Sequence, residues 1–509
     1  MTGGNAPRQK NEDNMNVHTI PDPLGAHADV FPAERRLYYG GGWHDPKAGG
    51  TLAVTAPASG HDLGTVSAAD AADLDLAVAA AHKGQREWKA LAPLARARVL
   101  RAVIERIRAH RDELAMLDAI DCGNPLKGML FDVDLGTTLL EYFTGLAPEV
   151  KGETIPSGDG RMTFVRREPI GVVARIIPFN HPMMFVLAKM GAPLVAGNAV
   201  IFKPSEHTPL AALRIAELIG DLFPAGLFSV LNGDGRLGAA MAEHPGIGNV
   251  SLVGSATTGR AVMRAGASTL KRLTLELGGK NALIMWPDAD IDKAVAGAVK
   301  GMNLGWTGGQ SCGSTSRVLV HDSIHDEVVE RLAAAFDAVK LGDPASPETE
   351  MGCMSTRPQY DKVMSYIEAG RQDGARLVAG GTVPDHLSHG LFVRPAVFAD
   401  VAPDMRIASE EVFGPLLSVL RWRDEEEMFA LANSVEYGLT ASIWTRDINT
   451  AMRAVERLDA GYVWINNSSD HYAGAPFGGF KQSGIGREEC LDEILGYTEQ
   501  KTVAITFGS

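Results

Sequence analysis

The chain has 509 residues and a formal net charge of −14. That length exceeds one ordinary hydrophobic core, so two or three domains are expected. The acidic balance argues against nucleic-acid binding by bulk charge, and no apolar run is long enough to span a bilayer.

Residues 1–30 are polar, contain Glu12 and Asp13, and lack the apolar core of a signal peptide. They read as a mobile arm, with Met15 as an alternative start. From Leu94 to Asp121, apolar residues at Leu100, Val103, Ile104, Ile107, Leu114 and Leu117 predict one long amphipathic helix. Lys151–Arg167 is polar and alternating, as in a protruding hairpin. Strand-like runs follow at Val172–Ile177, Ala199–Phe202, Phe228–Leu231, Asn249–Val253 and Leu273–Leu275, with helical spacing between them. This alternation predicts an α/β fold with a doubly wound parallel sheet. It resumes at Ala282–Trp286, Ile291–Asn303 and Arg317–His321, a second α/β unit that carries Cys312. The tail Lys501–Thr506 reads as an exposed strand. The four cysteines, Cys122, Cys312, Cys353 and Cys490, are too scattered for a disulfide framework or a metal site. A reducing, cytoplasmic setting without metal is expected.

Cys312 lies in Gly308-Gly309-Gln310-Ser311-Cys312-Gly313-Ser314, among small residues that can floor a cleft. Leu273-Thr274-Leu275 delivers Glu276 into the turn Leu277-Gly278-Gly279-Lys280. Ile176-Ile177-Pro178-Phe179 ends in Asn180. Thiol, carboxylate and amide are the parts of acyl chemistry on a carbonyl: nucleophile, base and oxyanion donor. Each alone is ordinary, since a lone cysteine is more often an inert small hydrophobe. Gly254-Ser255-Ala256-Thr257-Thr258-Gly259 joins a strand to a helix. Its glycines and helix start suit a pyrophosphate, but its spacing alone reads as an ordinary turn.

Taken together and in order, GGQSCGSTSR, LELGGK, PFNHP, EEVFGP at Glu410–Pro415 and PFGGFKQSGIGRE at Pro476–Glu488 resemble the NAD(P)-dependent aldehyde dehydrogenase superfamily. The resemblance runs from about Leu37 to about Thr502. It implies a Rossmann-like cofactor domain over 31–150 and 170–278 and a catalytic domain over 279–481. A small β oligomerisation unit, from 151–169 and 482–509, is implied to build a homodimer or homotetramer.

The resemblance also implies roles. Cys312 is the nucleophile, held as a thiolate against an ordinary thiol pKa of ~8.5. Glu276 is the deacylation base, so the thioester is hydrolysed rather than passed to coenzyme A. Asn180 and the Cys312 N–H meet the oxyanion, with Lys189 and Glu488 contacting the Glu276 region. NAD is implied to lie along Ile177, Pro178, Phe179, Lys203, Ser205, Glu206, Gly235, Gly254 and Ser255. Its nicotinamide end reaches Leu277, Gly278, Glu411 and Phe413. A carboxylate at Glu206 favours NAD over NADP. The substrate pocket draws on His181, Met184, Phe185, Ala188, Trp306, Ser311, Gly313, His471, Tyr472 and Phe477.

Ala188 replaces a larger side chain of several relatives, which widens the pocket. The two histidines bind a substrate hydroxyl or carboxylate, or else only pack. A medium-sized aromatic or aliphatic aldehyde is the expected substrate. A semialdehyde of amino-acid or aromatic catabolism, or a low-activity structural role, is the alternative. Thr307-Gly308 and Phe179 depart from the usual family residues without removing a catalytic group.

Overall fold

Short apolar runs separated by helices can bury both faces of a sheet only when the strands lie parallel. In the computed structural model, which describes residues 20–508, five of them do. Phe228–Val230, Ala199–Lys203, Val172–Ile176, Asn249–Val253 and Arg272–Glu276 pair side by side in that order. Leu37–Tyr39 and Gly42–His44 extend one edge as antiparallel strands, and Gly484–Ile485 extends the other. The chain runs outward from Val172–Ile176 to Phe228–Val230, then restarts on the opposite side at Asn249–Val253. The crevice beyond the carboxyl ends of Val172–Ile176 and Asn249–Val253 is therefore a topological switch point, where open α/β sheets bind ligands.

A second sheet holds the parallel strands Ala396–Ala399, Leu416–Trp422, Arg317–His321, Ala282–Met285, Thr440–Trp444 and Tyr462–Ile465. Arg376–Ala379 is antiparallel at its edge. Cys312 lies in the loop that enters Arg317–His321, near the middle of this sheet. A third sheet pairs Arg161–Pro169 with Glu153–Ile155 on one side and Thr498–Thr506 on the other. The expected hairpin and tail strand thus meet within one chain.

The single helix expected over Leu94–Asp121 is two helices, Pro93–Ala109 and Arg111–Cys122. His110 between them leaves the helical region at φ −111°, and its Nδ1 lies 2.8 Å from Glu113 Oε2 in the next turn. Both helices bury their apolar stripe in the same core, so the periodicity continues across the break. The 482–509 segment is also divided. Gly484–Ile485 belongs to the first sheet, Leu491–Gly496 packs as a helix on Pro182–Ala196, and only Thr498–Thr506 joins the hairpin. Of the arm expected over 1–30, residues 1–19 lie outside the described residues. Pro23–Ala26 is a helical turn capped by Asp22, and Pro23 and Val30 are buried, so residues 22–30 are folded rather than loose. No helix among the described residues is long and apolar enough to cross a membrane.

Candidate active site

Three strand ends of the first sheet open on one crevice. Val172–Ile176 runs into Pro178, Phe179 and Asn180, Asn249–Val253 into Gly254 and Ser255, and Arg272–Glu276 ends on Glu276 itself. These residues line a chamber with Gly278, Cys312, Glu411 and Phe413. A second chamber also reaches Cys312 and Glu276 from the side of His181 and Phe477. The thiol and the carboxyl therefore stand where the two chambers meet.

The Cys312 loop is fixed by its neighbours. Gly309 has φ +79°, and a Cβ there would stand 2.6 Å from the Gly414 carbonyl carbon, so only glycine lets the loop pass beneath Glu410–Pro415. Asn281 Nδ2 donates to Cys312 O at 2.7 Å and to Ser314 O at 2.9 Å. Gln310 Nε2 donates to Thr307 O at 3.0 Å, and its Oε1 accepts from Ser355 N at 3.0 Å. No sequence pattern marked Asn281 and Gln310 as partners, although Asn281 adjoins LELGGK and Gln310 lies within GGQSCGSTSR. The Cys312 N–H has no backbone partner among the described residues. Asn180 Nδ2 gives one N–H to Gln310 O at 2.9 Å, which leaves its second N–H free. Two uncommitted donors beside a thiol can form an oxyanion hole.

The charges of the site explain its protonation. Glu276 is 4% exposed, and its Oε1 has no hydrogen-bond partner among the described residues. Burial, then repulsion from Glu488, pushes its carboxyl up to about 8. Burial, then the adjacent Glu276, holds the Cys312 thiol well above its ordinary range. A half-buried thiol beside a second acid resists negative charge, so the thiolate needs the free N–H donors or the positive nicotinamide ring. Lys189 Nζ lies 2.6 Å from Glu488 Oε2, and both border the second chamber. Behind them, Arg175 lies 3.5 Å from Glu488 Oε1 and 2.9 Å from Glu493 Oε1. Arg175 and Glu493 fall outside every motif, so sequence gave no sign of this buried ion cluster.

The first chamber continues into a groove. Pro178 and Gly254 border both, and beyond them lie Ile177, Lys203, Ser205, Glu206 and Gly235. Lys203 Nζ lies 3.6 Å from Glu206 Oε2 and donates to Pro204 O at 3.0 Å. Ser255 caps the helix Ala256–Ala267, its Oγ accepting from Thr258 N at 3.2 Å. At the Cys312 end, Glu411 Oε1 accepts the Gly279 N–H at 2.8 Å, and a Cβ on Gly278 would run into that carboxylate. Phe413 has φ +58°, a strained value for a bulky residue, and Gln359 Nε2 holds its carbonyl at 2.7 Å. The Phe413 ring meets Phe179 edge to face at 5.9 Å. Leu277 does not line the groove; its side chain is buried against Gly259. A long groove with a capped helix start at its middle, a lysine–carboxylate pair at one end and a Glu411–Phe413 shelf at the other fits an extended dinucleotide.

In the second chamber stand His181, Met184, Phe185, Trp306, Ser311, Gly313, His471 and Phe477. Ala188 and Tyr472 do not line it. Ala188 is 2% exposed inside the helix Pro182–Ala196, and Tyr472 is 77% exposed at the surface. The inference that Ala188 widens the pocket therefore fails. Leu135, Asn303, Trp464, Ser469 and Glu489 line the chamber unexpectedly. Asn303, Ser469 and Glu489 carry positive φ of 55°, 57° and 64°, a clustering of backbone strain that no sequence pattern announces.

Comparison with known proteins agrees with this geometry. Residues 43–503 match the model of the aldehyde dehydrogenase family. The chain is 43% identical over 489 residues to aldehyde dehydrogenase tropH of Talaromyces stipitatus, covering 94% of this chain and 95% of that protein. PnpE from Pseudomonas sp. WBC-3 has a TM-score of 0.91 at 41% identity, covering 94% and 98% of the two chains, and its structure is also known with nicotinamide adenine dinucleotide. An NAD+ complex of aldehyde dehydrogenase from Bacillus cereus has a TM-score of 0.91 at 38% identity, covering 96% and 99%. The chain belongs to the aldehyde dehydrogenase family.

Proposed function

We propose that this protein oxidises an aldehyde to its carboxylic acid with NAD, through a thioester on Cys312 that water hydrolyses. One observation carries the reading: Cys312 and Glu276 stand at the junction of a dinucleotide-shaped groove and a separate chamber. Cys312, as the thiolate, attacks the aldehyde carbon entering from the second chamber. The second Asn180 Nδ2 proton and the Cys312 N–H receive the oxyanion. NAD held along the groove by Lys203, Glu206 and Glu411 would supply a positive ring that favours the thiolate and an acceptor for the substrate's hydride. Glu276, once ionised, removes a proton from the water that attacks the thioester. Lys189 and Glu488 set the field in which Glu276 titrates. Apolar walls at Phe185, Trp306 and Phe477 favour a medium-sized aromatic or aliphatic aldehyde.

Glu206 supports NAD over NADP, since a carboxylate at the groove's far end repels a 2′-phosphate. The three-stranded sheet supports a homo-oligomer: its two outer strands have open edges, and Ile155, Met162 and Phe507 are exposed on or beside it. Four free cysteines support a reducing cytoplasmic setting. The test is NADH formation at 340 nm against an aldehyde panel with NAD, with and without coenzyme A. Turnover independent of coenzyme A is expected. Absolute dependence on coenzyme A would overturn the hydrolytic reading.

A further inference from the structure

Two histidines of the second chamber are held in the same manner. His181 Nδ1 lies 2.9 Å from Asp132 Oδ2, and His471 Nδ1 lies 3.1 Å from Glu489 Oε2. Asp132 is itself fully buried and also accepts the Trp306 indole N–H at 2.5 Å. Each imidazole therefore has one nitrogen committed to a carboxylate, which fixes its ring and leaves Nε2 as the working atom. Neither Nε2 has a protein partner among the described residues, and neither is sealed from the chamber. Both rings stand edge-on against Trp306, His181 at 4.7 Å and His471 at 6.4 Å between centroids.

A chamber meant only for a hydrocarbon has no use for this arrangement. Apolar walls are provided by Met184, Phe185, Trp306 and Phe477, and a packing histidine would have both nitrogens satisfied or buried. Each Nε2 can donate or accept according to the protonation of its ring. At His471, burial opposes a charge, but the Glu489 carboxylate outweighs it and raises the imidazole above its ordinary range, which favours Nε2–H as a donor. A hydroxyl on an aromatic ring both accepts from such a donor and donates to a free ring nitrogen, so it matches two uncommitted Nε2 atoms beside an aromatic wall.

We propose that the preferred substrates are hydroxyaryl aldehydes, with the ring hydroxyl held by His471 and His181. This rests on the reading of the second chamber as the aldehyde site. A hydrogen bond to a charged group separates matched from unmatched ligands by about tenfold to a hundredfold.

The experiment is equilibrium binding to the full-length Cys312→Ala protein with NAD, which removes turnover. Benzaldehyde, 3- and 4-hydroxybenzaldehyde and their methoxy analogues are titrated by calorimetry. At least one hydroxy compound is expected to bind tenfold or more tighter than benzaldehyde, and its methoxy analogue to lose most of that gain. His471→Phe in the same background should erase the gap, while His471→Gln, which keeps a donor, restores part of it. Equal affinities, absence of binding by all of these compounds, or a gap that persists in His471→Phe would overturn the proposal. Failure of the dehydrogenase reading is seen separately, as absence of NADH formation by wild type with any aldehyde.

Discussion

Deacylation should carry the titration of Glu276. Burial and Glu488 push its carboxyl up to about 8. A base must be ionised, so the sign is fixed: hydrolysis accelerates as pH rises through that value. About a tenth of the carboxyl is ionised at pH 7 and about nine-tenths at pH 9, so the rate should rise about tenfold and then level off. Acylation of Cys312 removes the thiol contact that lowers this value, so the acyl-enzyme should titrate no lower. The assay forms the acyl-enzyme, jumps the pH between 6 and 10, and follows loss of the adduct by intact mass. Hydroxide attack also rises with pH, but it does not level off, and it remains in Glu276→Gln. The difference between wild type and Glu276→Gln should therefore trace a single titration near pH 8. A flat difference from pH 7 to 9, or one centred near the ordinary glutamate value, would refute the assigned role of burial and Glu488.

Three other outcomes are expected. Glu206→Gln should narrow the preference for NAD by about tenfold or more in kcat/KM, mainly by improving NADP; an unmoved ratio would mean that Glu206 does not face the ribose. Glu488→Ala leaves Lys189 buried without its 2.6 Å partner, so stability should fall by about 3 kcal/mol or more by denaturant titration, with Glu488→Gln milder. Light scattering should give a dimer or tetramer, and a charge at Ile155 on the open sheet or at Phe507 beside it should weaken it; a stable active monomer would contradict the oligomer.

The doubly wound sheet and two central strands of its partner, Ala282–Met285 and Arg317–His321, were legible because buried parallel strands are short apolar runs whose identity does not depend on distant residues. Cys312, Glu276 and Asn180 were legible for a different reason. Each ends or follows a strand or a glycine turn that must keep its local sequence to hold its shape, as Gly309 does beneath Gly414. The break at His110 was hidden because both helices present one continuous stripe to one core. The pairing of Thr498–Thr506 with Arg161–Pro169 joins segments more than 300 residues apart, and strand edges carry no code for their partner. Ala188 was misplaced because a helix position fixes a face only once its packing partners are known. The cost of ionising Cys312 was not legible, since it depends on how buried the junction is and on which acid stands beside it.

The central claim is that Cys312 carries an acyl group that Glu276 releases. Glu276→Gln, mixed with NAD and an aldehyde that wild type oxidises, tests it most directly. The account predicts a burst of one NADH per active site, followed by a slow phase, with the acyl mass found on the peptide containing Cys312 and absent in Cys312→Ala. Multiple turnovers at the wild-type rate, or a burst with no adduct on Cys312, would contradict it.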